Sequence, residues 1–351
     1  MIQTRTLTFA LPGDITTLTG GYVYDRRLVE GLRAQGRDVA VLSLSDAFPT
    51  PDAGQMADAV ARLQALPADR PVIVDGLAFG ALDPDGVAAI TAPIVAMIHH
   101  PLAQESALPA ELADHLWQTE RANLAHARHI LVPSPHTRQM LIDRYDVPAD
   151  RITVARPGTD LVPQAEGSHP VDPPLILSVG ILHPRKGHDV LIDALAALRD
   201  LDWQAVIVGN PWDADHVAAL QARIARTGLG DRLTLAGRVD DDRLRALYRQ
   251  ASVFALATRY EGYGIVFDEA LSHGLPIVST RTGAVPDTVP GDAGLLVEPD
   301  DAPALADALR ALLADPDRRA ACAGAAARAG AALPGWDDTA RQVGRVLDAL
   351  R

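Results

Sequence analysis

Glu261 and Glu269 bracket a glycine-rich turn in RYEGYGIVFDEALSHGLPIV, where an apolar run ends at Ala257 and a helical pattern begins near Ile265. That order puts the backbone N–H groups of Gly262, Tyr263, Gly264 and Ile265 at a helix N-terminus. An anion finds free donors there and the positive end of the helix dipole. Gly262 and Gly264, without side chains, let a ligand come close to the backbone. A carboxylate beside a phosphate is repelled by it, but a strong acceptor suits the neutral hydroxyls of a sugar or ribose. Either glutamate alone reads as an ordinary loop or helix charge. Placed together around EGYG, they point to a polyhydroxylated ligand that also carries an anion.

A second segment, LILSVGILHPRKGHDVL, sends a strand into a loop carrying Arg185 and Lys186 and then into a helix. Two adjacent cations at the carboxyl end of a strand can clamp a diphosphate and stabilise its charge as it leaves. A lone basic pair is usually a solvated loop. Here, however, Lys186 is the only lysine in a chain with 32 Lys+Arg, which marks it as a place where arginine will not serve. Nearer the N-terminus, Gly20 and Gly21 open a helix after the first strand, and His99 and His100 leave the strand of IVAMIHHPLAQE. Ser134 and Arg138 follow another strand end, in VPSPHTRQML. The aspartate pairs 213/215, 240–242 and 300/301 each fall at a helix start, where aspartate caps free N–H groups, so no catalytic metal is expected.

The elements that must hold these residues are legible as short, β-branched apolar runs alternating with helical patterns. Strands are expected at 7–10, 39–44, 72–75, 94–98, 130–132 and 152–154, and again at 175–179, 205–208, 233–236, 253–256, 277–279 and 295–297. Between the two sets, 163–174 (PQAEGSHPVDPP) reads as a linker. Strand–helix alternation implies right-handed βαβ units and a doubly wound parallel sheet, here twice over. The expected domains are 1–165, with a C-terminal helix at 336–351 able to pack back onto it, and 172–333. Ligands of such sheets bind at the carboxyl ends of the strands, which places the expected active site between two facing domains.

Composition closes off other classes. At 351 residues the chain is too long for one ordinary core, and its net charge of −13 argues against non-specific nucleic-acid binding. The single cysteine, Cys322, excludes an intrachain disulfide and any multi-cysteine metal site. The N-terminus reads as a strand rather than a leader, and no apolar run approaches the ~20 residues that span a bilayer. The expected location is cytoplasmic, with peripheral membrane contact left open.

The segment around EGYG closely resembles the E-x7-E signature of family 4 glycosyltransferases, which have the GT-B fold and retain anomeric configuration. The resemblance spans essentially the whole chain and is strongest over 175–297. It implies that Glu269 holds the nucleotide ribose, that Glu261 holds donor-sugar hydroxyls, and that the amides of 262–265 hold sugar hydroxyls or the diphosphate. It also implies that Arg185 and Lys186, in a loop similar to the family's VGxxxPRKG pattern, neutralise the diphosphate. Many members carry arginine directly after VG, where this chain has Ile181. In the first domain the resemblance brings Gly20 and Gly21 near the diphosphate or acceptor and one of the two histidines, here His99, near the anomeric carbon. His100, Ser134 and Arg138 become acceptor-side candidates. The implied reaction moves a hexose from a nucleoside diphosphate sugar, UDP being the commoner nucleotide, to a hydroxyl of a lipid, glycan or small molecule. No cofactor or metal is implied. Because no first-domain carboxylate stands out as a nucleophile, the reading leans to front-face attack. A nucleotide-sugar 2-epimerase of the same fold and a non-catalytic nucleotide-sugar-binding subunit are the alternatives.

Overall fold

The computed structural model describes residues 5–105, 108–160 and 169–350. The chain divides into two compact units, Met1–Gly158 with Pro334–Arg351, and Thr159–Leu333. The first unit runs β1 (Arg5–Pro12), α1 (Gly20–Ala34), β2 (Arg37–Leu44), α2 (Ala53–Gln64), β3 (Val72–Asp75), the short helices α3 (Gly76–Phe79) and α4 (Pro84–Ala88), β4 (Ile94–Met97), α5 (Ala110–His126), β5 (His129–Val132), α6 (Pro135–Tyr145) and β6 (Ile152–Val154). Its six strands are all parallel, in the order β2-β1-β3-β4-β5-β6. The strand order reverses between β1 and β3. A crevice opens there at the carboxyl ends because the flanking loops leave toward opposite faces.

The second unit runs β7 (Leu175–Val179), α7 (His188–Ala196), β8 (Gln204–Val208), α8 (Ala214–Thr227), β9 (Leu233–Gly237), α9 (Asp241–Gln250), β10 (Ala251–Leu256), α10 (Ile265–Ser272), β11 (Ile277–Thr280), α11 (Val285–Thr288), β12 (Gly294–Val297), α12 (Ala302–Leu313) and α13 (Pro316–Ala331). Its parallel sheet has the order β12-β11-β10-β7-β8-β9, with the reversal between β7 and β10. β7 shows why the strands read as unbroken apolar runs: Ile176 packs into the core on one face, Leu175 and Leu177 into the core on the other. Both units are thus Rossmann-like sheets covered on both faces.

The chain crosses between units earlier than expected. The division falls at Gly158 and Thr159, not between 165 and 172, and the first unit closes with α14 (Trp336–Ala349). The cause on the far side is local pairing: the amides of His169 and Val171 donate to the carbonyls of Arg249 and Gln250 at 2.8 and 3.1 Å. Of the expected linker, 163–168 lie outside the described residues. α14 is fixed to the first unit by Arg37, whose guanidinium donates to the Gly344 carbonyl at 2.8 Å and pairs with Asp348 at 3.0 Å. Gln342 adds a bond to the Val154 carbonyl at 2.8 Å. Among the described residues, no helix is long and apolar enough to cross a membrane.

Candidate functional site

The two loops that leave the sheet at the second unit's switch point carry the residues singled out by chemistry. After β7 the chain makes a short 3-10 turn, Pro184–Lys186, and after β10 it enters the EGYG turn. The loops are latched through the backbone, the Arg259 amide donating to the Arg185 carbonyl at 2.7 Å. Arg259 closes the latch from the side, its guanidinium reaching the Asp189 carboxylate at 2.9 and 3.1 Å. Gly187, between turn and α7, is what lets them meet: it sits at φ +63°, and a Cβ there would lie 1.9 Å from the Ala257 carbonyl oxygen. Gly187→Ala is therefore expected to lower the melting temperature by several degrees and to disorder the Arg185–Lys186 turn. A left-handed non-glycine residue costs about 1–3 kcal/mol before any backbone clash is counted. An unchanged melting curve would remove this latch.

Inside the latch, Lys186 (9% exposed) donates from Nζ to Glu261 Oε1 at 2.6 Å, and Glu261 is itself 4% exposed. Thr258 Oγ1 lies 3.0 Å from the same oxygen, and Arg185 Nη1 lies 3.7 Å from Glu261 Oε2. Burial raises the Glu261 pKa, but the charges of Lys186 and Arg185 and the hydrogen bonds from Lys186 and Thr258 outweigh it, so the carboxyl titrates below its ordinary range. Arg185 also donates to the Tyr260 carbonyl at 3.0 Å. His188 Nε2 lies 3.3 Å from the carbonyls of both Gly180 and Ile181. Burial, the leading cause, pushes that imidazole down to about 4 and keeps it neutral. Two cations and one carboxylate, which sequence reasoning gave to different parts of a ligand, therefore form one buried cluster.

Gly264, at φ +89°, precedes α10, whose first turn no side chain caps, so the amides of the EGYG turn open the helix. Tyr263 is buried, its hydroxyl donating to Asp268. Glu269 accepts from the Tyr248 hydroxyl at 2.7 Å, and the Tyr248 ring stacks on His273 with centroids 4.8 Å apart. Burial raises the Glu269 pKa against that hydrogen bond, and the charges of Asp160 and Asp241 add to the rise. One aspartate of each group caps its helix: Asp213 accepts from the His216 amide, Asp240 from Arg243 and Asp301 from Ala304, while Asp215, Asp241 and Asp242 lie within the first turns. Asp300 instead accepts from Arg259 at 2.7 Å.

In the first unit, Gly20 and Gly21 begin α1, which follows β1, and His99 follows β4, the neighbour of β3 on the side away from β1. His99 does not stand alone: its Nε2 lies 3.0 Å from Asp25 Oδ1 and 3.5 Å from Asp75 Oδ2. His100 lies apart from this group, its Nε2 3.3 Å from Glu105 Oε2. Ser134 is 0% exposed and its hydroxyl caps α6 by accepting from the Thr137 amide at 3.0 Å, which argues against the acceptor contact expected of it. Arg138 donates to the Ala149 carbonyl at 3.2 Å. Asp25, Asp75, Tyr248 and Thr258 were missed from sequence. No spacing rule links position 25 to 75 and 99, and only the parallel sheet brings them together.

Two family models match this chain: Glycosyltransferase Family 4 over residues 19–162 and Glycosyl transferases group 1 over residues 164–329. A D-inositol 3-phosphate glycosyltransferase of Xylanimonas cellulosilytica is 37% identical over 216 residues, 57% of this chain and 52% of that protein. A GDP-mannose-dependent alpha-(1-6)-phosphatidylinositol monomannoside mannosyltransferase of Mycolicibacterium smegmatis is 37% identical over 167 residues, 45% of this chain and 43% of that protein. The chain spans about half the length of the curated relatives it matches. Among solved structures, the sucrose-phosphate synthase of Thermosynechococcus elongatus superposes with a TM-score of 0.81 at 22% identity, covering 98% of this chain and 99% of that one. Anabaena HepE in complex with UDP-glucose superposes at 0.77 and 17% identity, covering 98% and 100%. The fold is therefore GT-B, and with one family model on each unit the chain belongs to the family 4 glycosyltransferases.

Proposed function

We propose that this protein transfers a hexose from a nucleoside diphosphate sugar to an acceptor hydroxyl with retention of configuration. The observation that carries the reading is the Arg185–Lys186–Glu261 cluster at the β7/β10 switch point. Two cations in a low-dielectric pocket suit a diphosphate, and a carboxylate among them suits the hydroxyls of the sugar it bears. Glu269, held by Tyr248, supplies an acceptor for the ribose. The bond from the anomeric carbon to the phosphate oxygen breaks while the acceptor oxygen bonds to that carbon on the same face. The acceptor's proton passes to the departing phosphate oxygen, and the products are a nucleoside diphosphate and a glycoside. Lys186 and Arg185 lower the barrier by meeting the charge that grows on the diphosphate.

The sequence reading favours UDP, while one relative's name specifies GDP-mannose, so the deciding experiment offers both. The full chain is incubated with UDP- and GDP-hexoses and a set of polyol acceptors beginning with inositol phosphates, the class that the relatives' names suggest. The expected result is a glycoside by mass spectrometry, or slow donor hydrolysis when no acceptor fits. Epimerised donor, or binding with no turnover, would replace the reading with one of the two alternatives. Because two cationic side chains stand where other transferases use an ion, EDTA is expected to leave the rate within about twofold. Activity abolished by EDTA and restored by magnesium or manganese would contradict a metal-free diphosphate site.

A further inference from the structure

The first unit buries two carboxylates against one imidazole. Asp25 (1% exposed) lies on the inward face of α1, and Asp75 (4%) ends β3. Asp25 Oδ1 is hydrogen-bonded to His99 Nε2 at 3.0 Å, and Asp75 Oδ2 lies 3.5 Å from the same nitrogen. Buried carboxylates are costly unless they are paired or hydrogen-bonded. Asp75 has a structural task besides, accepting from the Leu77 amide at 3.0 Å to cap α3. Asp25 has none: it sits mid-helix, and among the described residues His99 is its one hydrogen-bond partner.

The imidazole is constrained on its other sides too. The Tyr24 ring meets it edge-on, with centroids 5.2 Å apart and planes at 76°. Gly21 lies against its face, where a Cβ would sit 3.3 Å from the ring's Cδ2. Asp25, the nearer carboxylate at 3.0 Å, takes a donor at Nε2, so that nitrogen carries a proton. Nδ1 has no partner among the described residues, and the side chain keeps 19% of its exposure.

We infer that Asp25 is a positioning residue, which holds His99 by Nε2 so that Nδ1 is presented to an oxygen of the donor sugar as an N–H donor. The inference rests on the transferase reading for the identity of that oxygen, but the orientation of the ring stands on the geometry alone. Its electrostatics agree. Burial lowers the His99 pKa, and the charge and hydrogen bond of Asp25, joined by the charge of Asp75, more than reverse this, leaving it above its ordinary value. Burial and the charge of Asp25 raise the Asp75 pKa in turn, which keeps a proton available to the group. The other titratable groups around it are Tyr22 and Tyr24, on α1, and Asp46, after β2; burial and then the charge of Asp25 push the Tyr24 phenol up, so it stays protonated. Tyr22 is pushed up to about 12, first by burial and then by Asp75, Asp25 and Asp46, and so stays protonated.

The test uses the full chain, with Asp25→Asn, Asp75→Asn and His99→Gln, and reads donor turnover against pH together with 15N shifts of the His99 ring. Asp25→Asn is expected to lower kcat by about ten- to a hundredfold with little change in donor KM, because it loosens a group that touches substrate without removing it. The alkaline limb of the rate profile should move to lower pH, since the charge that held the imidazolium is gone. Asp75→Asn should shift the same limb less, and His99→Gln should abolish the limb. Wild-type kcat and an unshifted limb in Asp25→Asn would overturn the inference. So would wild-type 15N shifts showing Nε2 unprotonated, a measurement that decides even if the variant fails to fold. Activity that needs added zinc would also overturn it, making the three side chains a metal centre. If the wild type neither transfers nor hydrolyses any donor, the transferase reading falls, while the 15N shifts still decide how His99 is held.

Discussion

Lys186→Ala is expected to lower turnover by about a hundred- to a thousandfold, with a fall in thermal stability alongside it. The rate effect follows from removing a preorganised cation that faces developing charge, on the order of 3–4 kcal/mol. The stability effect follows from the structure, because Nζ is the partner of a buried carboxylate at 2.6 Å. Breaking such a pair from one side costs about 3–5 kcal/mol, less here because Arg185 remains 3.7 Å from the other oxygen. The two effects separate in the double variant Lys186→Met with Glu261→Gln, in which no buried charge is left alone. That variant should recover most of the melting temperature and none of the rate. Lys186→Arg should recover only part of the rate. The lysine stem runs flat against Gly180, where a Cβ would lie 3.3–3.5 Å from its Cγ, Cδ and Cε, leaving a channel suited to a thin chain and not to a planar fork. Wild-type turnover in Lys186→Arg would show that a lysine is not required, and wild-type turnover in Lys186→Ala would remove the residue from the mechanism.

The course of the sheets was legible because buried parallel strands leave a plain trace. Runs such as 72–75 and 175–179 became Val72–Asp75 and Leu175–Val179 residue for residue. Short helices were not legible. α3 and α11 span four residues each, too few to show a period. In the site, residues adjacent in sequence were found, and Arg185, Lys186, Glu261 and Glu269 all lie on loops or a helix leaving the switch point. That Glu261 and Lys186 are bonded to one another was not legible, since 75 positions separate them and only the β7–β10 pairing closes the gap. The same limit hid Asp25, 74 positions from the histidine it holds. Roles assigned one residue at a time were therefore incomplete where a charge is shared.

Glu261 is the clearest instance. Glu261→Gln is expected to slow transfer by about ten- to a hundredfold while making the protein bind free UDP or GDP more tightly, by about two- to tenfold. The loss has a different source from that in the lysine variant: the amide is a poorer acceptor for a sugar hydroxyl, and a charge-assisted hydrogen bond is worth about 1.5–3 kcal/mol. The gain in nucleotide affinity follows from competition. The carboxylate holds Lys186 and lies near Arg185, so a diphosphate that recruits these cations must share them with Glu261. Removing that negative charge leaves two cations whose best available partner is the phosphate. The variant's own melting temperature should fall, and the upward shift on adding nucleotide should exceed that of the wild type, since ligand stabilisation grows with affinity at fixed concentration. The pH dependence has a definite sign. The folded-state pKa of Glu261 is depressed, so its contribution to stability is full above the unfolded value of about 4.3 and is lost as pH falls through the folded value. Glu261→Gln should therefore lose stability at neutral pH and converge on the wild type in acid. Calorimetry that finds weaker nucleotide binding in Glu261→Gln would show that the carboxylate organises the two cations rather than competing for them.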